Sequence, residues 1–535
     1  MTGWRLAFAV GLVVFVACPL ATPFRSITAS STWEWTSEDG RRLSQLAVNT
    51  LVLSAGTIAL ALPLGLMLAV LLFRCTILVR RILLALLAIL LFIPLPVLVS
   101  SWQSTFGSNG WLPLEFWRST VDRPWATGMT TAIWVHAFAA VPWVAFIIGI
   151  GLSWVEPELE DEAAQSVGWL RVLVFITLPR ARASILAAAL FVGLQTAGEV
   201  SVAEMMLVDT FAAETLTQFA ANRDGLARTL VLSLPALVLA WASVLAIVAW
   251  LERTLPPLAP STRSHRPLNL GPAWLRFMIA GLMIGFLLAP LYGLVWKLGL
   301  TGHPGQWTAD AAGRFLQAEA RLLGYDLLAT FGTSLVTGFA VAVVALACCW
   351  LARDARWFRW LLFSVATWAW VLPGPVVGIG LREIIMNLPE GVWKDALYYG
   401  PSPLPLMWVQ SIRALPIAVV SLWPIVRMIP PSVVEEARLA GAGAIGQWFG
   451  IVVPMTWRAV VIAALASAAL CLGEVAASTC VGTPGWESFT KLIFDRMHNG
   501  VDNNVSALCV LMLASVSAIG IVAFGLASLT RRPFE

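Results

Sequence analysis

Twelve stretches of about twenty predominantly apolar residues, each long enough to cross a bilayer, follow one another along this chain. They centre near residues 15, 60, 92, 140, 192, 240, 285, 340, 370, 416, 468 and 516. Of 535 residues, 59% are hydrophobic and 12% are charged, and the mean hydropathy is +0.82. A soluble domain carries roughly 25% charged residues, so the apolar surplus has to face lipid. The fold class is therefore all-α integral membrane, with about twelve transmembrane helices. Residues 1–23 resemble a cleavable leader in their apolar run, but keeping them as the first span gives each half of the chain six spans. Pro142, Pro416 and Glu474 interrupt the fourth, tenth and eleventh spans, which a bundle interior tolerates when neighbours satisfy the freed groups.

The charges that remain set orientation rather than a polar binding face. The formal net charge is only +4, and the 34 basic residues are scattered between apolar runs, which excludes a nucleic-acid surface. Arg74, Arg80 and Arg81 crowd one short turn, Arg353, Arg356 and Arg359 another, and Arg531 and Arg532 close the chain. Basic short loops stay on the cytoplasmic side, so both termini are expected there, with Glu38 and Asp39 in an external loop. Trp33, Trp35, Trp102 and Trp111 fall near span ends, as interfacial anchors do. Cys18, Cys348, Cys349, Cys471 and Cys509 lie inside apolar runs with no metal-ligand spacing and read as small buried hydrophobes. Between the sixth and seventh spans, Leu255 to Pro267 is rich in proline and small polar residues. It divides the chain into a first half, 1–254, a Pro-rich cytoplasmic linker, 255–272, and a second half, 273–535.

The halves repeat. After the fourth span stands Glu162-Ala163-Ala164, then Gly168 and Leu178-Pro179; after the tenth stands Glu435-Glu436-Ala437, then Gly441 and Val453-Pro454. The stretch from Glu162 to Pro179 is two residues shorter than that from Glu435 to Pro454, a loss placed just after the first glycine. The offset that superposes Pro179 on Pro454 then persists, and it maps Gly198-Glu199-Val200 onto Gly473-Glu474-Val475. Six spans per half is an even number, so both halves enter the membrane in the same sense, as parallel repeats about an axis along the membrane normal, and a pathway on that axis is expected.

Each loop is built to present a short helix. Ser432-Val433-Val434-Glu435 reads as a capping box after Pro430-Pro431, and Pro157 with Glu158, Glu160, Asp161 and Glu162 puts acids at a helix amino terminus. Gly168 and Gly441 are expected to permit a turn that a side chain would resist, and Pro179 and Pro454 to end each segment before the next span.

The pattern Glu-Ala-Ala, three residues, Gly, nine residues, Ile-x-Leu-Pro resembles the signature loop of binding-protein-dependent ABC importer permeases of type I. The second copy keeps its spacing, with Glu436 and Val453 as substitutions. The resemblance implies that loops 156–180 and 430–455 dock in grooves of two copies of a cytoplasmic ATP-binding subunit. Glu162, Ala163, Ala164, Gly168 and Pro179 would inherit that role in the first loop, and Glu435, Glu436, Ala437, Gly441 and Pro454 in the second. It also implies an external or periplasmic solute-binding protein and a place in the bacterial inner membrane. Two permease domains in one chain look most like the iron(III) and thiamine importer permeases. Gly-Glu-Val with Met497-His498-Asn499-Gly500 leans toward iron(III), with thiamine or a phosphonate as alternatives. None of Lys297, Lys394 and Lys491 follows the GxxxxGK[ST] spacing of a phosphate loop. ATP is thus expected in the partner; this chain is expected to bind no cofactor and to be no enzyme.

Glu199, Glu204 and Glu474 are the acids that fall within spans. A charge at the bilayer centre costs about 2.5–3.5 kcal/mol on insertion scales, which makes Glu199 and Glu474 candidates for the pathway. The alternative is a glutamate that fixes helix packing beside Gly198 or Gly473. His136 reads as hydrogen-bonded packing and His498 as part of a solvated loop; no metal site is expected. An ion-coupled secondary transporter is the rival, and it would show buried charge pairs without paired loops.

Overall fold

The computed structural model describes residues 2–25, 37–75, 80–106, 111–112, 128–221, 223–254, 272–302, 305–498 and 500–529. Apolar side chains leave the backbone no water to bond, so the chain closes its own hydrogen bonds and is helical almost throughout. Among the described residues, eight helices are long and apolar enough to cross a membrane, and three bent pairs bring the number to eleven. The shorter apolar helix Asn503–Ala518 covers the twelfth expected centre. The chain is an all-α integral membrane protein. The sole sheet among the described residues is two antiparallel two-residue strands, pairing Leu300 with Trp307 and Thr301 with Gln306.

Two of the expected spans are sharply broken. Arg80–Leu91 and Leu95–Phe106 meet at 105°, and Arg356–Val371 and Gly374–Met386 at 109°. Pro94 and Pro373 sit in these breaks; the residue before a proline leaves the helical region, and proline cannot donate back into the preceding helix. Two other spans far exceed twenty residues: Ser37–Arg74 has 38 and Ala309–Arg353 has 45. At 1.5 Å per residue the longer reaches about 68 Å, more than twice the roughly 30 Å of a hydrocarbon core. Glu38 and Asp39 accordingly belong to the first turn of a helix, not to a loop.

The element order of the first half recurs in the second. The offset that carries Pro179 to Pro454 also carries the start of Met129–Leu152 to the start of Leu404–Met428, and both ends of the π-helical turn Leu173–Thr177 to those of Trp448–Val452. The first helix of each half crosses to the other half. Thr22 Oγ1 donates to Gly380 O at 2.9 Å, and Thr105 Oγ1 donates to Pro290 O at 2.9 Å. Thr105 and Gly380 are equivalent positions under the offset, and each crossing sets a threonine of one half against a glycine of the other. A Cβ on Gly380 would strike Pro19 O, and one on Gly293 would strike Thr105. As a result the largest core clusters draw on both halves: Leu12, Val16 and Leu20 pack among residues 341–481, and Ala280, Ile284 and Leu287 among residues 53–145. At the end opposite the loops a second exchange holds the short helices Phe211–Ala221 and Phe489–Met497. Arg42 pairs with Glu214 at 2.7 Å in one half, and Arg496 with Glu319 at 3.1 Å in the other, with the sign of each partner reversed.

Some anchors and hydrophobes behave otherwise than expected. Trp102 is buried and stacked on Phe106 at 5.1 Å, because the crossing helix 273–299 covers it. Trp111 stays half exposed against Tyr292. Cys18 is exposed, whereas Cys348, Cys349, Cys471 and Cys509 are buried. Trp33, Trp35, the linker residues 255–271, Asn499, Arg531 and Arg532 lie outside the described residues.

Gly285 and Gly293 share one helix, and only Gly293 lacks room for a Cβ. Gly293→Ala is expected to destabilise the detergent-solubilised protein by about 1–3 kcal/mol. Gly285→Ala should leave thermal unfolding unchanged or raise it slightly; equal midpoints for the two variants would contradict the crossing.

Candidate functional site

Two places gather the residues singled out in the sequence: a pair of loops at one end of the bundle, and a cavity between the halves near the other.

The loop helices are Pro157–Ala164 and Pro431–Leu439. Both begin with proline at the first position, after an extended Glu156 or Pro430, and neither has a side-chain cap, so Ser432 lies one residue inside the helix and the capping box does not form. Proline's fixed φ starts the helix without one. Glu162, Ala164, Glu435 and Glu436 are exposed, and Ala163 and Ala437 are half-buried. The second helix ends in a left-handed turn: Gly441 has φ +83°, Gly441 N–H donates to Arg438 O, and Ala442 N–H donates to Ala437 O. Gly168 does something different. Its φ of −67° and ψ of 155° are extended, and it precedes Trp169–Val172 just as Gly443, its equivalent under the offset, precedes Ala444–Gln447. The missing two residues therefore fall before Gly168, and the first loop has lost the left-handed turn itself. Pro179 and Pro454 do not end their segments either. Each sits in the first turn of the next helix, following a π-helical turn that absorbs the missing N–H, and Ala444–Gly473 runs through as one 30-residue span.

The loops are fastened unequally. In the first, Glu160 is buried, paired with the buried Arg74, and accepts a hydrogen bond from Thr177 Oγ1 at 2.6 Å. In the second, Arg353 donates to Ile429 O at 2.7 Å, and the half-exposed Arg438 and Asp354 stand 3.8 Å apart. Sequence reading took Glu160 only for a helix-terminal acid, and no local signal ties it to Arg74, 86 residues away. Apolar side chains remain uncovered on both loops: Leu170 and Ile445, equivalent under the offset, and Leu439, which is 89% exposed.

The cavity lies where the fifth and eleventh spans break. The helix Arg182–Ala197 stops before Gly198, and Val453–Gly473 stops before Glu474. A break inside a membrane frees backbone N–H groups that lipid cannot satisfy. Glu199 takes them up in the first half, accepting from Ser201 N–H at 2.6 Å and Val202 N–H at 2.8 Å. Glu474 accepts from Ala477 N–H at 2.8 Å in the second. Both carboxylates line one cavity of about 130 Å³ together with His136, Trp143, Phe191, Gln195 and Arg413.

Around these carboxylates the halves differ. Arg413 donates through Nε to Glu474 at 3.2 Å, and through one terminal nitrogen to Ala369 O at 3.0 Å and Leu372 O at 2.8 Å. Those carbonyls end the helix before the 109° bend, so one guanidinium closes two helix breaks. The equivalent of Arg413 in the first half is Phe138. Glu199 faces His136 instead, whose Nε2 lies 3.6 Å from its Oε2 and makes no hydrogen bond although the residue is only 4% exposed. His136 is thus neither hydrogen-bonded through Nε2 nor in contact with bulk solvent. Glu204 lies outside the cavity and meets His498 at 3.3 Å, and His498 also contacts Phe494 O at 3.0 Å; it caps the end of Phe489–Met497 rather than lying in a solvated loop. No three His, Cys, Asp or Glu side chains come together as a metal site among the described residues.

Two curated relatives align with the chain. It is 26% identical over 222 residues to the putrescine transport system permease protein PotI of Escherichia coli strain K12, covering 41% of this chain and 76% of the relative. The same identity and coverage hold for PotI of Escherichia coli O6:H1, strain CFT073. Over that stretch the chain is homologous to a transport permease. No family model matches the chain. Since the matched 222 residues make up 76% of the relative, the relative is close in size to one half of this chain. Where the transport-system relative is said to handle putrescine, nothing points to iron, and the expected lean toward iron(III) finds no support.

Removing one member of a buried ion pair leaves the other charge uncompensated. Arg413→Met is expected to cost about 3–5 kcal/mol, and Glu474→Gln in the same background should restore at least about 1 kcal/mol of it in a double-mutant cycle followed by thermal unfolding. Additive losses would show that the two groups do not interact.

Proposed function

We propose that this chain is the whole membrane-spanning part of a bacterial ABC importer, with both permease domains in one polypeptide and both termini on the cytoplasmic side. Two copies of an ATP-binding subunit dock beneath the loop helices, and an external solute-binding protein delivers the solute at the opposite end. Hydrolysis belongs to the partner. The observation that carries this reading is the pair of loops: two short, proline-started helices in loops that leave Leu170, Leu439 and Ile445 uncovered, placed at matching points of two halves, each about the size of the transport permease to which part of the chain is homologous.

The solute is a small organic cation of the polyamine kind. The relatives' substrate supports this, and so does the cavity, which has one more carboxylate than guanidinium and two aromatic walls. Iron(III) and phosphonates gain nothing from either observation, and thiamine, an aromatic cation that the cavity's charge and rings would also suit, gains nothing from the relatives. The Arg413–Glu474 and Arg74–Glu160 pairs are features an ion-coupled carrier would share, but the second fastens a loop, and only the first lines the cavity. That pair's hydrogen bonds go to helix ends, however, which gives it a structural task in a broken span.

The loops act through their turns. Valine at Gly441 meets a backbone conformation that costs about 1–2 kcal/mol for residues with a Cβ, whereas Gly168 is extended with open space around it. Affinity purification of the tagged chain from native membranes should bring down an ATP-binding subunit. Gly441→Val should lower that recovery severalfold or release ATP hydrolysis from transport, and Gly168→Ala should do neither. Transport that persists in vesicles without ATP, with no ATPase recovered, would overturn the importer reading.

A further inference from the structure

The charges of the cavity do not balance, and the imbalance is local. Glu474 is neutralised by Arg413, with both its oxygens engaged. Glu199 accepts two backbone N–H groups and has no cation beside it. A carboxylate offers about four lone-pair positions, and the Ser201 hydroxyl also bonds this one, so one remains for a guest. The buried His136 Nε2, without a hydrogen-bond partner, stands 3.6 Å from the same carboxylate. On the neighbouring wall Trp143 and Phe191 lie with ring centroids 5.0 Å apart, and Trp370 meets Phe191 edge-on at 5.7 Å while its Nε1 holds Gln195 by its carbonyl oxygen at 3.2 Å. Leu90, Leu91 and Ile93 complete an apolar sleeve.

We infer that the cavity is a binding site for a protonated primary amine on an alkyl chain, with the ammonium held between Glu199 and His136 and the chain against Trp143 and Phe191. An ammonium brings three N–H donors. The Glu199 carboxylate accepts one, the neutral imidazole of His136 accepts another, and the aromatic faces attract the same charge. The alkyl part replaces water along Leu90 and Ile93. A bare metal ion would find one carboxylate and one imidazole, too few for its shell, and an anion would meet Glu199. Arg413 sets the count: by occupying Glu474 it leaves a single carboxylate for a guest. A monoamine therefore fits as well as one end of a diamine.

This inference rests on the reading of the chain as a permease for organic cations, but its test needs neither ATPase nor binding protein. The full chain in lipid nanodiscs is equilibrated with radiolabelled putrescine. Saturable binding at one site per chain is expected, displaced by butylamine and not by succinate. Glu199→Gln removes the charge and one of two acceptor oxygens and should weaken binding about tenfold or more. Trp143→Leu, which leaves the helix break untouched, should weaken it severalfold, and Glu204→Gln, outside the cavity, should not change it. Arg413→Gln frees a second carboxylate and should raise the preference for putrescine over butylamine. Absence of saturable amine binding by the monodisperse wild-type chain would overturn the site, as would wild-type affinity in both Glu199→Gln and Trp143→Leu. Either failure leaves the importer reading standing; an ATPase that never copurifies would remove that reading and leave the site.

Discussion

Backbone N–H groups stranded inside a membrane are the constraint on which the centre of this protein depends. The fifth and eleventh spans both break after a glycine, and each break is closed by the glutamate that follows it, through hydrogen bonds to the first residues of the next short helix. A neutral amide would satisfy fewer of these donors. Once two carboxylates are placed there, the halves treat them differently: Arg413 pairs with Glu474 in the second, whereas Glu199 in the first faces His136 with no cation beside it. Packing and function were opposed readings of Glu199 and Glu474; in the proposed site one residue serves both, since the Glu199 charge that seals the backbone would also attract a cation.

The frame around this centre holds because contacts are duplicated in complementary form. A threonine of the first helix bonds a glycine of the opposite half in one crossing, and a threonine of the third span faces a glycine of the second half's first helix in the other. The ion pairs that fasten the short helices 211–221 and 489–497 likewise exchange their signs. A single chain can diverge in this way, because each half has only one partner to match.

The apolar runs made the membrane class and the hydrophobic segments legible, because length in lipid is a local property. The 105° and 109° bends were less so: Pro94 and Pro373 announce a break but not whether the chain continues or turns. The two glutamates were found from sequence by their cost in lipid. Their partners were not, since Arg413 and His136 reach the site only through the packing of distant spans. The loop register misled for a similar reason. Aligning Gly168 with Gly441 preserves a motif, whereas the backbone pairs Gly168 with Gly443 and gives the left-handed turn to the second loop alone. Burial of Arg74 against Glu160 likewise has no signature in spacing.

Loop and cavity are the two ends of the same helices. From Ala444 to Gly473 the second runs 30 residues without a sharp bend, about 45 Å, so in the proposed importer a displacement of the second loop reaches Glu474 directly. The first path bends by 66° near Ala181 before it reaches Glu199. The central claim is that partner subunits acting on the loops open and close the cavity between these breaks. Its most direct measurement is the rate at which a membrane-impermeant maleimide labels Gln195→Cys in a Cys18→Ser background, with the partner ATPase nucleotide-free and with ATP trapped. The account predicts that trapping changes the rate severalfold and that putrescine slows labelling in the accessible state; equal rates in both states, unaffected by putrescine, would contradict it.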